Sequence, residues 1–223
     1  MKNEVLAIIL ILIFFPSVSS GQDKLKIGIH ADPVFSWFGS DINDIKSSGT
    51  RPGFNFGLEF TVPFTSNYSF ETGLSLINSG GRLQNTDTTI LSFSKLTTVL
   101  PDKPMIYKIQ YLAFPLGLKL KTNQIGYVTF FTDIGLEPKV IVSSKIEIPA
   151  DNISGENAKE EVNYFNAGYY VNAGIEYGLG GNTAIVAGLG FENNFLDLTK
   201  DNNGQPKDKI THRLISFRLG INF

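Results

Sequence analysis

Nine charged residues fall on alternate positions of short segments whose other residues are mostly bulky and apolar. They are Glu59, Glu71, Lys119, Lys121, Asp133, Glu137, Glu176, Glu192 and Arg218. Carboxylates in pairs can perform general acid–base catalysis, and mixed rows of carboxylates and ammonium groups can line an ion pathway or neutralise one another. Because buried charges need partners, we expect these side chains to form a structural network of salt bridges inside the fold. A conducting pore and a catalytic carboxylate set are the alternatives.

Other residues offer little for catalysis or metal binding. His30 and His212 are the only histidines, and we expect both on the surface near the same end of neighbouring strands. Two imidazoles without a thiolate or a regular carboxylate spacing do not make a convincing metal site. No serine lies in a Gly-x-Ser-x-Gly motif, so the sequence indicates no acyl-transfer enzyme, no catalytic residue and no cofactor.

The elements that must position the nine charges are predicted β-strands. Apolar residues alternate with polar or small residues in eight segments, which is the period of a strand, and no segment after Gln22 has a helical period. The predicted strands are 24–31, 54–62, 68–76, 112–121, 128–137, 165–177, 185–192 and 215–223. Pro115 interrupts the fourth strand, where its missing N–H would break the ladder, so we expect a β-bulge there.

The connections between these strands alternate in length. Long segments at 38–50, 81–103, 142–163 and 193–211 are separated by short ones at 63–67, 122–124 and 179–182. Four long loops at one end and three tight turns at the other are typical of bacterial outer-membrane barrels. The sequence therefore predicts an all-β fold: one closed, antiparallel, eight-stranded up-and-down barrel that spans the membrane, with both mature termini on the periplasmic side.

The distribution of bulky residues indicates which face of each strand meets lipid. Large apolar side chains occupy one face, and glycine, serine, asparagine or charge occupies the other. A soluble barrel fills its interior with apolar side chains and shows the reverse bias. We expect the bulky face to point outward into lipid; a soluble lipocalin-like binder would need it to point inward.

The first residues of the chain have the pattern of a cleaved signal peptide. Lys2 precedes an apolar run at 5–15, which ends at Pro16 before several small residues. Eleven apolar residues are too few to cross a bilayer core, which needs about 20. We therefore divide the chain into a signal peptide, 1–21, and an outer-membrane β-barrel domain, 22–223. With no cysteine in the chain, a lipoprotein anchor and disulfides are excluded.

Short strings in three strands resemble a known family. They are Tyr111-Leu112-Ala113-Phe114-Pro115-Leu116, Asn172-Ala173-Gly174-Ile175-Glu176-Tyr177 and the closing Leu219-Gly220-Ile221-Asn222-Phe223. The chain resembles the PorT-type outer-membrane β-barrel domains of Gram-negative bacteria over its whole mature part. The resemblance implies an eight-stranded barrel in the outer membrane, and some members of that group assist protein secretion.

The last strand ends in an aromatic residue that is in phase with its apolar face. Phe217, Leu219, Ile221 and Phe223 alternate along this strand. This arrangement resembles the C-terminal signal that barrel-insertion machinery reads, so we expect that machinery and outer-membrane lipid as partners.

The expected function follows from these elements. The formal net charge is −2, and acidic and basic residues are mixed along the chain. The sequence therefore indicates no basic face for nucleic acid. We expect a non-catalytic outer-membrane protein with a structural, adhesion or assembly and secretion-accessory role, in which the long external loops contact a protein partner. A small-solute pore and a membrane-embedded hydrolase are the alternatives.

Overall fold

The described part of the chain is built almost entirely from β-strands. A computed structural model describes residues 25–92, 96–200 and 208–223, so the predicted signal peptide lies outside the described residues. The strands are β1 (Lys26–Ser40), β2 (Ile45–Gly49), β3 (Arg51–Pro63), β4 (Tyr68–Asn85), β5 (Thr89–Ser92), β6 (Leu96–Val99), β7 (Pro104–Ala113), β8 (Leu116–Lys121), β9 (Val128–Ile148), β10 (Ile153–Asn157), β11 (Phe165–Gly180), β12 (Thr183–Asn194) and β13 (Ile210–Asn222). A single 3-10 turn, Pro149–Asp151, is the one helical element of these ranges, and none of their residues forms a helix able to cross a membrane.

Eight antiparallel strand positions close into a ring. Around the ring, β1 pairs with β3, β3 with β4, β4 with β7 and β8, and both of these with β9. The ring continues through β11, β12 and β13, which pairs back onto β1. Closure leaves the barrel without a free edge, and the predicted closed eight-stranded fold is confirmed.

Pro115 interrupts one barrel position without shifting it. Strand β7 ends at Ala113 and β8 begins at Leu116, yet Ala113 lies opposite Lys139 and Leu116 lies opposite Leu136, so the register is unchanged. The predicted bulge at Pro115 is therefore wrong. Phe114 still donates its N–H to the Pro138 carbonyl at 2.9 Å, so the cost of Pro115 is confined to its own missing donor.

A register shift does occur on the neighbouring strand. Between the pairs Gln110–Ser143 and Tyr111–Ile141, strand β9 carries one extra residue, Val142. The extra residue lies near the point where the strand leaves its apolar outer face, and such bulges increase the local twist of a strand.

The barrel strands extend further at the loop end than the sequence predicted. Residues 77–85, 141–148 and 104–111 are strand, although they were assigned to loops or left unassigned. The prediction ended each strand where its outward apolar residues end. In the structure the ladder continues beyond that point with the two faces exchanged.

The exchange of faces divides the barrel into two zones. In the lower zone the bulky side chains point outward, as Phe56, Leu118 and Phe217 do, and they form an apolar belt for lipid. The prediction of outward bulky faces is confirmed, and the arrangement required by a lipocalin-like binder is not present. Above the belt, the inward positions of β1, β4, β7, β9 and β13 become apolar, which is the pattern of a water-soluble barrel.

Candidate functional site

The lower interior is held by an ion-pair cluster centred on Lys119. The Lys119 ammonium, which is fully buried, lies 3.0 Å from Glu59 Oε1, 3.1 Å from Glu71 Oε2 and 3.3 Å from Glu176 Oε1. These carboxylates come from β3, β4 and β11, so one side chain from β8 ties together strands from across the lumen. We call this group, together with Lys121 and Arg218, the Lys119 cluster.

Lys121 and Arg218 complete the cluster at its margins. Lys121 Nζ lies 2.7 Å from Glu176 Oε2. The Arg218 guanidinium pairs with Glu59, and it also lies 3.5 Å from Glu71 Oε1. Because a charge buried away from water is stable only when it is matched, the shared carboxylates keep every cation of the cluster compensated.

A second ion cluster lies higher in the lumen around Lys139. This side chain is fully buried, lies 3.0 Å from Glu137 Oε2 and pairs with Glu192. Sequence reasoning identified both carboxylates and missed the lysine, because the predicted strand ended at residue 137. Continuing the alternation of Asp133 and Glu137 by one more inward position would have found it.

Asp133 is placed with the Lys119 cluster but is not paired in the same way. It lies opposite Lys119 in the β8–β9 ladder and is fully buried, yet none of the described lysines or arginines forms an ion pair with it. Phe131, two residues away, turns its ring to the Lys119 ammonium at 4.7 Å, a cation–π contact. All nine charges predicted from the sequence thus point into the lumen, and eight of them form ion pairs.

The two histidines are buried, so their predicted place on the surface is wrong. His30 points into the lumen from β1, where its Nδ1 lies 2.7 Å from Asp32 Oδ2 and its Nε2 lies 3.3 Å from Ser75 Oγ. An ionised Asp32 can only accept hydrogen bonds, so Nδ1–H donates to Asp32 and Nε2 accepts from the serine hydroxyl. Asp32 also accepts the Leu219 N–H at 2.9 Å, which fixes its orientation.

The order of these groups is that of a Ser-His-Asp catalytic triad. No sequence motif indicates it, because the three residues lie on β1 and β4 and meet only across β3. Gly57 of β3 lies between them: a Cβ there would come within 2.5 Å of both His30 Nε2 and Ser75 Oγ. A glycine at this position is therefore required for the histidine to reach the serine.

The space beside this triad-like arrangement is small. His30, Asp32, Ser75, Glu59, Arg218 and Tyr170 are among the residues that border a cavity of about 40 Å³. Pockets for organic ligands occupy roughly 300–1,000 Å³, whereas this volume suits water. The arrangement has the hydrogen-bond order of an acyl-transfer site without room for an ester or peptide beside the serine.

An apolar plug fills the lumen above the Lys139 cluster. Phe38 is almost completely buried, with its ring centroid 6.0 Å from that of Tyr107 and 5.6 Å from that of His212. Further buried apolar residues of the plug are Val34, Ile77, Leu83, Met105, Ile109, Tyr111, Ile141, Ile146, Ile148, Ile210 and Leu214. They close the upper lumen by the packing of side chains.

Burial in the plug changes the acid–base behaviour of two groups that lie above the apolar belt. Burial raises the pKa of the Tyr107 phenol. It also lowers the pKa of the His212 imidazole to about 3, and the nearby Lys139 charge acts in the same direction. His212 therefore packs as a neutral ring between Phe38 and Tyr111 at neutral pH.

The external connections fold over the plug and are tied to one another. Ala158, Val162 and Leu198 from two different connections belong to the same buried apolar cluster as the plug. Asn163 Nδ2 donates to the carbonyls of Asp197 and Thr199 at 3.1 and 2.7 Å. On the other side, Asp41 accepts the Lys209 N–H at 2.7 Å and the Asp44 carbonyl accepts the Thr86 N–H at 2.8 Å. We call the connections so linked the loop cap.

The predicted insertion signal lies where lipid contact requires it. Phe217, Leu219 and Ile221 of β13, and Phe223 just beyond the strand, all point outward from the barrel. That the barrel-insertion machinery recognises these residues stays a prediction.

The closed barrel, its apolar belt and its charged lumen define a type of protein that sequence comparison also recognises. The family model described as outer membrane protein β-barrel domain matches residues 19–192. The chain belongs to this family. The membership makes it an outer-membrane β-barrel protein, in agreement with the fold and with the coarser part of the predicted resemblance; no curated protein matches the chain.

Solved structures of outer-membrane barrels are similar to this member of the family. OprG from Pseudomonas aeruginosa is 12% identical with a TM-score of 0.50, and the match covers 91% of this chain and 98% of OprG. Ail, the attachment invasion locus protein of Yersinia pestis, is 14% identical with a TM-score of 0.45, covering 91% of this chain and 100% of Ail.

An enzyme is also among the similar structures. The outer membrane protease OmpT from Escherichia coli is 8% identical with a TM-score of 0.42, and the match covers 93% of this chain and 99% of OmpT. At these identities the likeness shows the fold alone, and one fold can carry unrelated activities. The choice between an enzyme and a non-enzyme therefore depends on the residues of this chain.

Proposed function

We propose that this family member is a non-conducting outer-membrane barrel that acts through its loop cap, as a structural, adhesion or assembly-accessory protein. The observation that carries the proposal is the filled lumen. Two ion clusters and an apolar plug occupy its length, and the polar cavity between them measures about 40 Å³. A small-solute pore would need a continuous water-filled path through these side chains.

The loop cap has the properties of a recognition surface. Its connections are linked by hydrogen bonds and rest on a buried apolar cluster, so they present a pre-organised surface at low entropic cost. Within the described residues the connections of the loop end, including the short strands β2 and β10, carry ten acidic and five basic side chains. We infer that the partner surface is basic, that the loop end faces outside the cell, and that the termini are periplasmic.

We further infer that the chain belongs to the PorT-type subgroup. The support is the three strings of strands β7–β8, β11 and β13, the first of which contains the strand interruption at Phe114–Pro115. The subgroup makes a secretion-accessory role one form of the proposal.

Neutralising the loop cap is expected to weaken binding of a basic partner. In the variant Asp44→Asn, Asp87→Asn, Glu160→Gln, three exposed carboxylates are lost. With a contribution of about 0.5 kcal/mol for each exposed charge, affinity for a fluorescent poly-lysine should fall about tenfold in low salt. The measurement is titration of the purified barrel in detergent, with single-channel recording of the same samples in planar bilayers.

The control variant Lys159→Gln, Lys200→Gln, Lys209→Gln removes three charges of opposite sign from the same loop cap. It should bind poly-lysine at least as well as the wild type. Equal binding by wild type and acidic-residue variant would overturn the recognition role, and stepwise conductance of the wild type would favour the pore.

The triad-like arrangement favours a hydrolase as the second candidate function, and it can be tested separately. We expect a fluorophosphonate probe to leave Ser75 unlabelled in the folded barrel, because the adjacent cavity is too small for the phosphonyl group. The readout is mass spectrometry of the Ser75 peptide, with Ser75→Ala as control. Stoichiometric labelling that is lost in His30→Ala would establish a nucleophilic serine and contradict the non-catalytic proposal.

A further inference from the structure

A group of cations lies on the outer wall of the barrel directly above the apolar belt. It comprises Lys46 of β2, Arg82 of β4, Lys108 of β7 and Lys145 of β9, which point outward on one continuous stretch of sheet; we call it the basic patch. Glu147 of β9 lies within the patch and pairs with Lys108. None of the other three cations has an ion pair among the described residues.

The register brings like charges together. Lys108 and Lys145 lie directly opposite each other in the β7–β9 ladder, and Arg82 is opposite Ile106, one outward position along from Lys108. Like charges directly opposite each other destabilise a sheet. On its other side, in the β9–β10 ladder, Lys145 lies opposite the uncharged Asn157.

The height of the patch relative to the belt indicates what covers it. Along β7 one polar outward residue, Gln110, separates the last belt residue Leu112 from Lys108, and along β4 Asn78 follows the belt residue Leu76. Four residues of a tilted strand rise by roughly 10 Å, and a lysine side chain can reach back toward the interface. The ammonium groups therefore lie at the level of lipid headgroups.

The described turns at the opposite end of the barrel carry no group of cations that corresponds to the basic patch. The described residues of these turns, 64–67, 122–127 and 181–182, include no charged side chain. The loop cap, further from the membrane than the patch, is mainly acidic. The basic patch therefore has no matching cluster on the described turns at the other end of the barrel.

We propose that the basic patch binds the phosphate of an anionic lipid headgroup in the leaflet at the loop end. Phosphate oxygens accept hydrogen bonds from several cations at once, and Arg82, Lys108 and Lys145 are spaced as strand neighbours around one position. Such binding would remove the repulsion between the facing lysines. This proposal goes beyond the action of the loop cap and requires only that the belt spans the membrane.

The test compares lipid adducts of the full-length barrel by native mass spectrometry. Delipidated protein is titrated with phosphate-bearing lipid A and with zwitterionic phosphatidylcholine. The patch variant Arg82→Gln, Lys108→Gln, Lys145→Gln is matched by the loop-cap variant Lys159→Gln, Lys200→Gln, Lys209→Gln. We expect the patch variant to bind lipid A at least about tenfold more weakly, since it lacks three cations and each cation near an anionic lipid surface contributes about fivefold in affinity.

The controls separate this proposal from its competitors. The loop-cap variant should keep wild-type lipid A binding, and phosphatidylcholine binding should be the same for all three proteins. A heat-modifiability gel establishes that the variants are folded. Equal lipid A binding by wild type and patch variant would overturn the proposal; so would displacement of lipid A by an equal concentration of inorganic phosphate, or tighter patch-dependent binding of poly-glutamate, which would assign the patch to a free anion or an acidic polypeptide.

Discussion

Replacing Lys119 with methionine is expected to lower the free energy of unfolding of the barrel by about 3–5 kcal/mol. The substitution keeps most of the side-chain volume but removes the one cation that contacts Glu59, Glu71 and Glu176 together. Arg218 and Lys121 lie at the margins and cannot compensate all three carboxylates. The measurement is urea unfolding of the barrel in lipid vesicles, followed by the gel mobility of unboiled samples.

The matched control is Lys159→Met in the loop cap, where the side chain is exposed and a change within about 0.5 kcal/mol is expected. A second variant combines Lys119→Met with Glu71→Gln and Glu176→Gln. Because it also removes two of the unpaired charges, it should recover part of the lost stability. If Lys119→Met were as stable as the wild type, the charges of the cluster would have to be solvated. The lumen would then contain a path for water.

Replacing Phe38 with alanine is expected to destabilise the barrel by about 3–5 kcal/mol. Its ring is enclosed by Tyr107, His212 and Gly81. A Cβ at Gly81 would lie 2.7 Å from this ring, so the backbone approaches it closely. Removal of the ring leaves a cavity that these rigid neighbours cannot fill. Urea unfolding under the conditions used for Lys119 measures the effect.

Phe35, on the same strand, provides the comparison. It points outward, with 45% of its surface exposed, and packs edge-on to Phe217 at 6.2 Å between centroids. Lipid chains can occupy the space that Phe35→Ala vacates, so we expect less than half of the Phe38→Ala effect. A larger loss at Phe35 than at Phe38 would show that the stability of the barrel comes from its lipid contacts and that the plug is loosely packed.

The variants Lys119→Met and Phe38→Ala test two different parts of the barrel interior, the Lys119 cluster and the apolar plug. The Lys119 cluster lies beside the apolar belt, where burial makes each unpaired charge expensive. The plug lies above the belt, where the outer wall faces water and the interior can be apolar as in a soluble protein. The strands therefore pass through two environments, and β1, β4, β7, β9 and β13 turn apolar side chains inward where they leave the first.

Several errors of prediction come from this exchange. The sequence indicated strands as long as bulky residues stayed on the outward positions, so Ile77 and Leu83, which continue β4 with their side chains inward, were assigned to a loop or left out. The same limit hid Lys139. Alternation has a period of two on both sides of the exchange, and it does not state which of its two faces is inside.

The placement of the histidines was wrong for a related reason. His30 and His212 were expected on the surface because they lie near predicted strand ends. Continuation of β1 and β13 beyond those ends puts both side chains inside. His30 reaches Ser75 across Gly57, a contact between β1 and β4 that no spacing along the chain specifies.

The amino-acid sequence by itself determined the strands, the outward direction of the bulky side chains in the belt, the alternation of long and short connections, and the inward direction of all nine predicted charges. These are local properties, because a strand repeats every two residues and lipid selects its outer face. Only the tertiary structure decided which charges pair, that Ser75, His30 and Asp32 meet, and that the upper lumen is closed. Those contacts join strands far apart in the chain, and they depend on the closure and stagger of the whole ring.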